Sequence, residues 1–303
     1  MKIGVVNFLN AFPLYYGLDK ITKPVIYLPD SEQLEDFDSS EKPDNEITLI
    51  KAIPSELSKK MQQHQLDIAL VSSIEYYRNK EKWNYVPSLC IASDGAVDSI
   101  RLFLNENIQN IKNIGANKPQ EYSSSVTMEI FNQITTTNDI VIIYYDEATR
   151  SSLAMLQILL LQLYTNVEMS ELFQFKEIQR PFDARVNNLK PNELLLLIGD
   201  EALRHKQKPS IDLGQLYSTT FNRSMIYALW TYPKDNPAAD YSFLQQAYHY
   251  SLNNWDAMLD SAVETFGFDL AYTKNYLQNS IHYNLDEKRT ADLDFYFSQY
   301  ERL

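Results

Sequence analysis

The chain is short of the residues on which most catalytic and cofactor signatures depend. Cys90 is its single cysteine, which excludes an internal disulfide and a thiolate metal cluster. The four histidines, His64, His205, His249 and His282, are scattered and form no H-x-x-x-H pair. That argues against a zinc site of histidine and cysteine. Only seven glycines occur, and no two are spaced for G-x-G-x-x-G or a phosphate loop. Basic charge is also scarce, with 27 Lys+Arg against 40 Asp+Glu and a net charge of −13. Such a chain is a poor partner for nucleic acid or an anionic membrane. No apolar run reaches the ~20 residues that span a bilayer, since Gln157 and Gln162 interrupt the longest, Leu153 to Tyr164. At the amino terminus Asn7 and Asn10 break the apolar run that a secretory leader requires, so a soluble, cytoplasmic protein is expected.

What is present is a globular composition, 45% hydrophobic and 13% aromatic over 303 residues, a length that favours two domains. Strands are expected at Lys2–Val6, Pro24–Leu28, Asp67–Val71, Val86–Ala92, Val97–Leu104, Ile140–Tyr145, Leu194–Ile198 and Met225–Trp230. Helices are expected at Pro54–Gln65, Ile74–Arg78 and Ser152–Leu163. Acidic Asp30–Glu46 reads as an exposed loop, and Asn105–Asn138 as an insertion, partly helical near Val126–Ile134. From Pro237 onward the pattern is helical and rich in tyrosine, with no strand. Alternating strands and helices predict an α/β fold with largely parallel sheets, whose ligands sit beyond the carboxyl ends of strands.

Five predicted strand ends carry small polar residues: Asn7 and Asn10, Ser72-Ser73, Ser93-Asp94-Gly95, Thr149-Arg150-Ser151-Ser152, and Gly199-Asp200. Serine or threonine at a helix start, with unsatisfied backbone N–H groups and the helix dipole, can hold a carboxylate without lysine. Ser72-Ser73 and Thr149–Ser152 fit that role, and two such starts would grip a small dianion. Taken singly, each serine reads first as a cap of its own helix. Asn10 suits a ligand hydroxyl or an Asx-type turn equally, Asp94-Gly95 is a common turn dipeptide, and Gly199-Asp200 can simply open a helix. Cys90 reads as a buried small hydrophobe, and the carboxyl-terminal aromatics as core.

The wording of these segments resembles the chorismate dehydratases of the futalosine route to menaquinone. The matching stretches are V-N-F-L-N-A-F-P-L at Val6–Leu14, I-P-S-E-L at Ile53–Leu57, L-D-I-A-L-V-S-S-I-E-Y-Y-R at Leu66–Arg78 and L-C-I-A-S-D-G-A-V-D-S-I at Leu89–Ile100. They continue with D-E-A-T-R-S-S at Asp146–Ser152, L-L-I-G-D-E-A-L at Leu196–Leu203, D-L-G at Asp212–Gly214 and A-L-W at Ala228–Trp230. The resemblance covers Met1 to about Trp230. It implies a two-lobed, type II periplasmic-binding-protein-like fold with a central cleft, residues 1–97 and 221–303 forming one lobe and 98–220 the other. It implies loss of water from chorismate to give 3-[(1-carboxyvinyl)oxy]benzoate, with no cofactor and no metal. Asn10, Ser72 and Ser73 are then the expected catalytic residues. Asp94, Gly95, Thr149, Arg150, Ser151, Ser152, Gly199 and Asp200 are the expected substrate-binding ones. T-R-S-S stands where the family has S-R-T-S, keeping both hydroxyls, and Asn222-Arg223-Ser224 replaces the family's glycine and proline before Ala228. Insertions are expected at Asp30–Glu46 and Lys118–Asn138. The alternatives are a non-catalytic small-acid binding protein of the same fold, a regulatory sensor, or the sister 1,4-dihydroxy-6-naphthoate synthase. The last typically uses a histidine in the second lobe, and none lies between His64 and His205.

Overall fold

The structure, a computed structural model, describes residues 1–21, 25–28, 47–107, 131–132, 134–135, 140–165, 168–235 and 241–303. The expected loop at Asp30–Glu46 lies outside the described residues, as does most of Asn105–Asn138; of the Lys118–Asn138 insertion only Phe131, Asn132, Ile134 and Thr135 are described, and all four are helical. The chain forms two units. The first comprises Met1–Ile91 and Ile226–Asp286, the second Ala92–Met225 and Glu287–Leu303. The chain thus leaves the first unit at Ile91 rather than Val97 and returns at Ile226 rather than Phe221. Its last segment, which the sequence assigned to the first lobe with the rest of 221–303, groups with the second unit.

In the first unit β1 (Lys2–Val6) leads through a 3-10 turn at Leu9–Ala11 into α1 (Phe12–Tyr15) and α2 (Leu18–Ile21). Then come β2 (Val25–Leu28), β3 (Ile47–Ala52), α3 (Pro54–Gln62), β4 (Ile68–Ser72), α4 (Ser73–Arg78) and β5 (Trp83–Ser93). After the second unit the chain adds β11 (Met225–Pro233), α10 (Ser242–Asn253), α11 (Trp255–Phe266), α12 (Leu270–Asn275), a π turn at Tyr276–Ser280 and β12 (His282–Leu285). The sheet order is β12-β5-β11-β4-β1-β3-β2. β2, β3, β1 and β4 are parallel, and β11 runs antiparallel to β4. β12 overturns the expectation of no strand after Pro237, and β3 had no counterpart in the pattern reading. β4 is buried along its whole length, as a central parallel strand requires.

Gly17 lets the α1–α2 corner lie directly on α10. A Cβ there would stand 2.4 Å from the Ala247 carbonyl oxygen and 2.9 Å from Tyr250 Cβ. Since the nearer atom is helix backbone, it cannot swing aside. Gly17→Ala is therefore expected to lower stability by about 1–3 kcal/mol, the usual cost of overpacking, read as a lower midpoint in chemical denaturation.

The second unit contains β6 (Ile100–Phe103), β7 (Val141–Tyr145), α5 (Arg150–Leu163), α6 (Met169–Leu172), β8 (Phe173–Glu177), α7 (Asp183–Val186) and β9 (Glu193–Ile198). α8 (Gly199–Arg204), β10 (Ser210–Asp212), α9 (Leu213–Phe221) and the terminal α13 (Glu287–Tyr300) complete it. Its sheet order is β10-β6-β9-β7-β8, with β7 parallel to both β8 and β9, and β6 antiparallel to β9 and β10. Both sheets are therefore mixed, where largely parallel ones were expected. Phe103, Tyr144, Phe182, Leu195 and Leu197 form a buried cluster against this sheet.

Candidate functional site

In the first unit, β1 and β4 are neighbouring parallel strands, Ile3 opposite Ile68. Their carboxyl ends therefore share one sheet edge, and there lie Asn10, Ser72 and Ser73. Ser72 is the N-cap of α4, its hydroxyl accepting from the Glu75 N–H at 3.3 Å. Ser73 is fully buried and donates its hydroxyl to the Ile226 carbonyl at 2.8 Å, fastening α4 to β11. Both hydroxyls therefore do structural work in addition to whatever they do for a ligand. The Glu75 carboxylate, the nearest acid in that motif, is held by Arg78 at 2.9 Å.

Asn10 differs. Its carbonyl accepts the Tyr283 hydroxyl at 3.0 Å, so β12 pins the turn that carries it. Burial raises the Tyr283 phenol well above its ordinary value, with Tyr248 beside it adding to the shift, so the phenol keeps the proton it donates. The Asn10 side-chain oxygen is buried and meets no hydrogen-bond partner in the protein. An acceptor buried without a partner costs about 1–3 kcal/mol, and Asn10 is the candidate of this sheet edge that carries one.

In the second unit the register again gathers the candidates. β7 and β9 are parallel, so Thr149–Ser152 and Gly199-Asp200 follow their carboxyl ends at one edge. β6 runs against β9 with Ile100 opposite Ile198, which brings the start of β6, and the Asp94–Ser99 loop before it, to the same edge. The Gly199 N–H donates to the Ser99 carbonyl at 2.8 Å. Gly199 takes φ +60, a left-handed conformation that suits glycine.

Asp146 shapes the entry into α5. The Thr149 N–H and hydroxyl both donate to its carbonyl, at 3.2 and 2.7 Å, and its carboxylate accepts the Ala148 N–H at 3.1 Å. Burial raises the Asp146 carboxyl above its ordinary value, against the pull of Arg180 at 3.6 Å. With its hydroxyl turned back, Thr149 makes no side-chain cap on α5, contrary to the simple capping role. The N–H groups of Arg150, Ser151 and Ser152 have no carbonyl within the helix, by helix geometry. α5 is fourteen residues long and carries no acid in its first turn, the nearest carboxylate being that of Asp146 on the Ala148 N–H just before it. α8 is the opposite case. Asp200 and Glu201 both stand in its first turn and already complement its dipole, which disfavours an anion at Gly199-Asp200.

α13 ties this edge together. The Tyr296 hydroxyl donates to the Ser151 carbonyl at 2.8 Å, and Arg289 Nη2 lies 2.7 Å from Asp94 Oδ2. These residues are seven apart, two helical turns or about 10 Å, and share one face. Asp292 anchors the same helix, accepting from Arg223 at 2.7 Å, Lys288 at 3.0 Å and the Ser224 N–H at 2.9 Å. Burial pushes the Asp292 carboxyl up, but these donors outweigh it and hold the group below its ordinary value. Tyr283, Arg289 and Tyr296 were absent from the sequence-level candidates. Nothing local distinguishes a tyrosine or arginine that reaches a distant loop from one in the core.

The first unit also holds an open pocket of about 370 Å³, lined by Met61, His64, Trp83 and Lys234 among others, and it contains none of these candidates. Among the described residues, no helix is long and apolar enough to cross a membrane.

A two-unit α/β architecture with mixed sheets of this order belongs to the periplasmic-binding-protein-like class. Solved structures place it there. The chain is similar to protein AF1704 of Archaeoglobus fulgidus, at 12% identity over 99% of this chain and 96% of that one, with a TM-score of 0.62. It is similar to the periplasmic aliphatic sulphonate binding protein of Escherichia coli, at 10% identity, 98% and 86% coverage and a TM-score of 0.54. It is similar as well to a Candida albicans protein with the generic periplasmic binding protein fold, at 10% identity, 100% and 90% coverage and a TM-score of 0.56. These likenesses speak to fold. The chain itself belongs to the menaquinone biosynthesis family, whose profile matches residues 1–302.

Proposed function

We propose that this protein is a chorismate dehydratase. The observation that carries the reading is membership, over nearly the whole chain, in the menaquinone biosynthesis family. The V-S-S-I-E-Y and C-I-A-S-D-G segments support the particular reaction. In that reaction chorismate loses the hydrogen at C3 and the hydroxyl at C4. The C3–H electron pair becomes the new ring double bond, and hydroxide leaves with the proton as water. Because the ring becomes aromatic, the protein's task is to position and polarise rather than to drive.

The start of α5 seats one substrate carboxylate on the Arg150–Ser152 N–H groups, with the Arg150 side chain beside it. The Asn10 side-chain oxygen accepts the C4 hydroxyl and fixes its direction. The substrate's enolpyruvyl carboxylate takes the C3 proton, since Glu75 is engaged by Arg78.

The test is to incubate purified protein with chorismate and follow it by proton NMR. Four aromatic protons and a retained pair of vinyl protons are expected. Chorismate bound but unchanged would make the protein a binding protein or sensor, and chorismate ignored would remove the reading altogether.

A further inference from the structure

We propose that Arg289 is a positioning residue that sets the charge of the Asp94 loop: by pairing with Asp94 it lets an anionic substrate approach that loop. The inference rests on the chorismate reading and adds to it a residue from the carboxyl-terminal helix, beyond the last of the sequence stretches that carry the resemblance.

Asp94-Gly95 stands at the sheet edge that also carries the α5 start. A bare carboxylate there opposes a dianion. The Asp94 side chain is 43% exposed, whereas that of Arg289 is 13% exposed, so the cation is the fixed, poorly solvated member of the pair. Attraction between charges is screened least where water is excluded. Two further contacts keep Asp94 in place. Its carbonyl accepts the Ser218 hydroxyl at 3.0 Å, and the Ser93 hydroxyl donates to the Gly95 carbonyl at 3.0 Å. The other cations at this end of α13 are engaged elsewhere, since Lys288 and Arg223 both bind Asp292. Asp292 and Tyr296, about one and two turns further along, hold α13, so the guanidinium is presented by an anchored helix. The bidentate geometry open to arginine is not essential for neutralisation. A lysine would serve in charge, though less well in direction.

The experiment measures kcat and KM for chorismate in the wild type, Arg289→Gln, Arg289→Lys and the double variant Asp94→Asn/Arg289→Gln, with thermal melts of each. Arg289→Gln is expected to raise KM about tenfold or more while kcat changes less than threefold, and the penalty should shrink with added salt. Arg289→Lys should recover most of the loss. The double variant should return KM toward the wild-type value, because the unpaired carboxylate is gone. A tie that only held the helix in place would behave otherwise, with the double variant as poor as the single one. That result, or an unchanged KM in Arg289→Gln, overturns the inference while wild-type turnover leaves the chorismate reading standing. A wild type that neither binds nor converts chorismate removes both.

Discussion

Asn10→Ala is expected to lower kcat by about 10²-fold or more while leaving the melting temperature unchanged or slightly higher. The two halves have one physical cause. The side-chain oxygen of Asn10 is buried and meets no partner in the protein. Its desolvation is therefore uncompensated in the free protein, and removing it relieves a cost instead of breaking a contact. Native proteins keep such groups where function needs them, and stability suffers accordingly. The turn itself survives the change. It is held by the Ala11 N–H on the Phe8 carbonyl at 3.0 Å and by the Tyr283 hydroxyl on the Asn10 carbonyl, all of which alanine preserves. Losing one positioned polar group costs an enzyme about 10²–10³ in turnover. Steady-state kinetics with chorismate and a thermal melt on the same preparation decide the matter. Turnover within a few-fold of wild type would place Asn10 outside the site. A joint fall in turnover and melting temperature would make it a structural turn residue.

The fold was legible where burial is continuous and local. Asp67–Val71 is an unbroken apolar run, and the strand found is Ile68–Ser72. Leu194–Ile198 likewise appears as Glu193–Ile198. β8 was missed because F-Q-F-K-E is mostly exposed at a sheet edge, so it carries no buried-strand signal. β12 was missed because four residues between helices make no period. The Val97–Leu104 strand was predicted too long at its start, where Asp98 adopts φ +58 and the chain turns.

The candidate site was legible as a list of strand ends but not as a set of contacts. Ser73 looks from sequence like a ligand hydroxyl. Its hydroxyl donates to the Ile226 carbonyl, 153 residues away, and no local pattern encodes such a partner. The placement of Arg289 beside Asp94 is non-local in the same way. It also needs α13 to join the second unit, which a reading of helical character alone had no means to foresee.

Asp212→Ala is expected to cost the second unit about 3–5 kcal/mol, the usual penalty for removing one member of a buried charged network. Asp212 is 2% exposed and serves three elements at once. Its carboxylate accepts the Val97 N–H at 3.1 and 3.2 Å, the Asp98 N–H at 2.7 Å and the Gln215 N–H at 3.0 Å, the last as the N-cap of α9. Arg101, itself buried and bonded to Ser210 and Asp98, lies 4.0 Å away. Burial pushes the Asp212 carboxyl above its ordinary value, and Arg101 and the N–H donors oppose that shift. Alanine leaves these donors without their acceptor and Arg101 with Asp98, at 3.1 Å, as its remaining neighbouring anion. Asparagine keeps one acceptor oxygen but adds two donors where the carboxylate met only donors, so Asp212→Asn should fall between. The readout can separate the units, because Trp83, Trp230 and Trp255, the three tryptophans of the chain, all belong to the first. Denaturant should therefore abolish part of the far-ultraviolet circular dichroism of Asp212→Ala before tryptophan fluorescence changes. A loss under about 1 kcal/mol would mean that water replaces the carboxylate. In that case the left-handed turn at Asp98, and with it the Asp94-Gly95 loop just upstream, must be held by something other than Asp212.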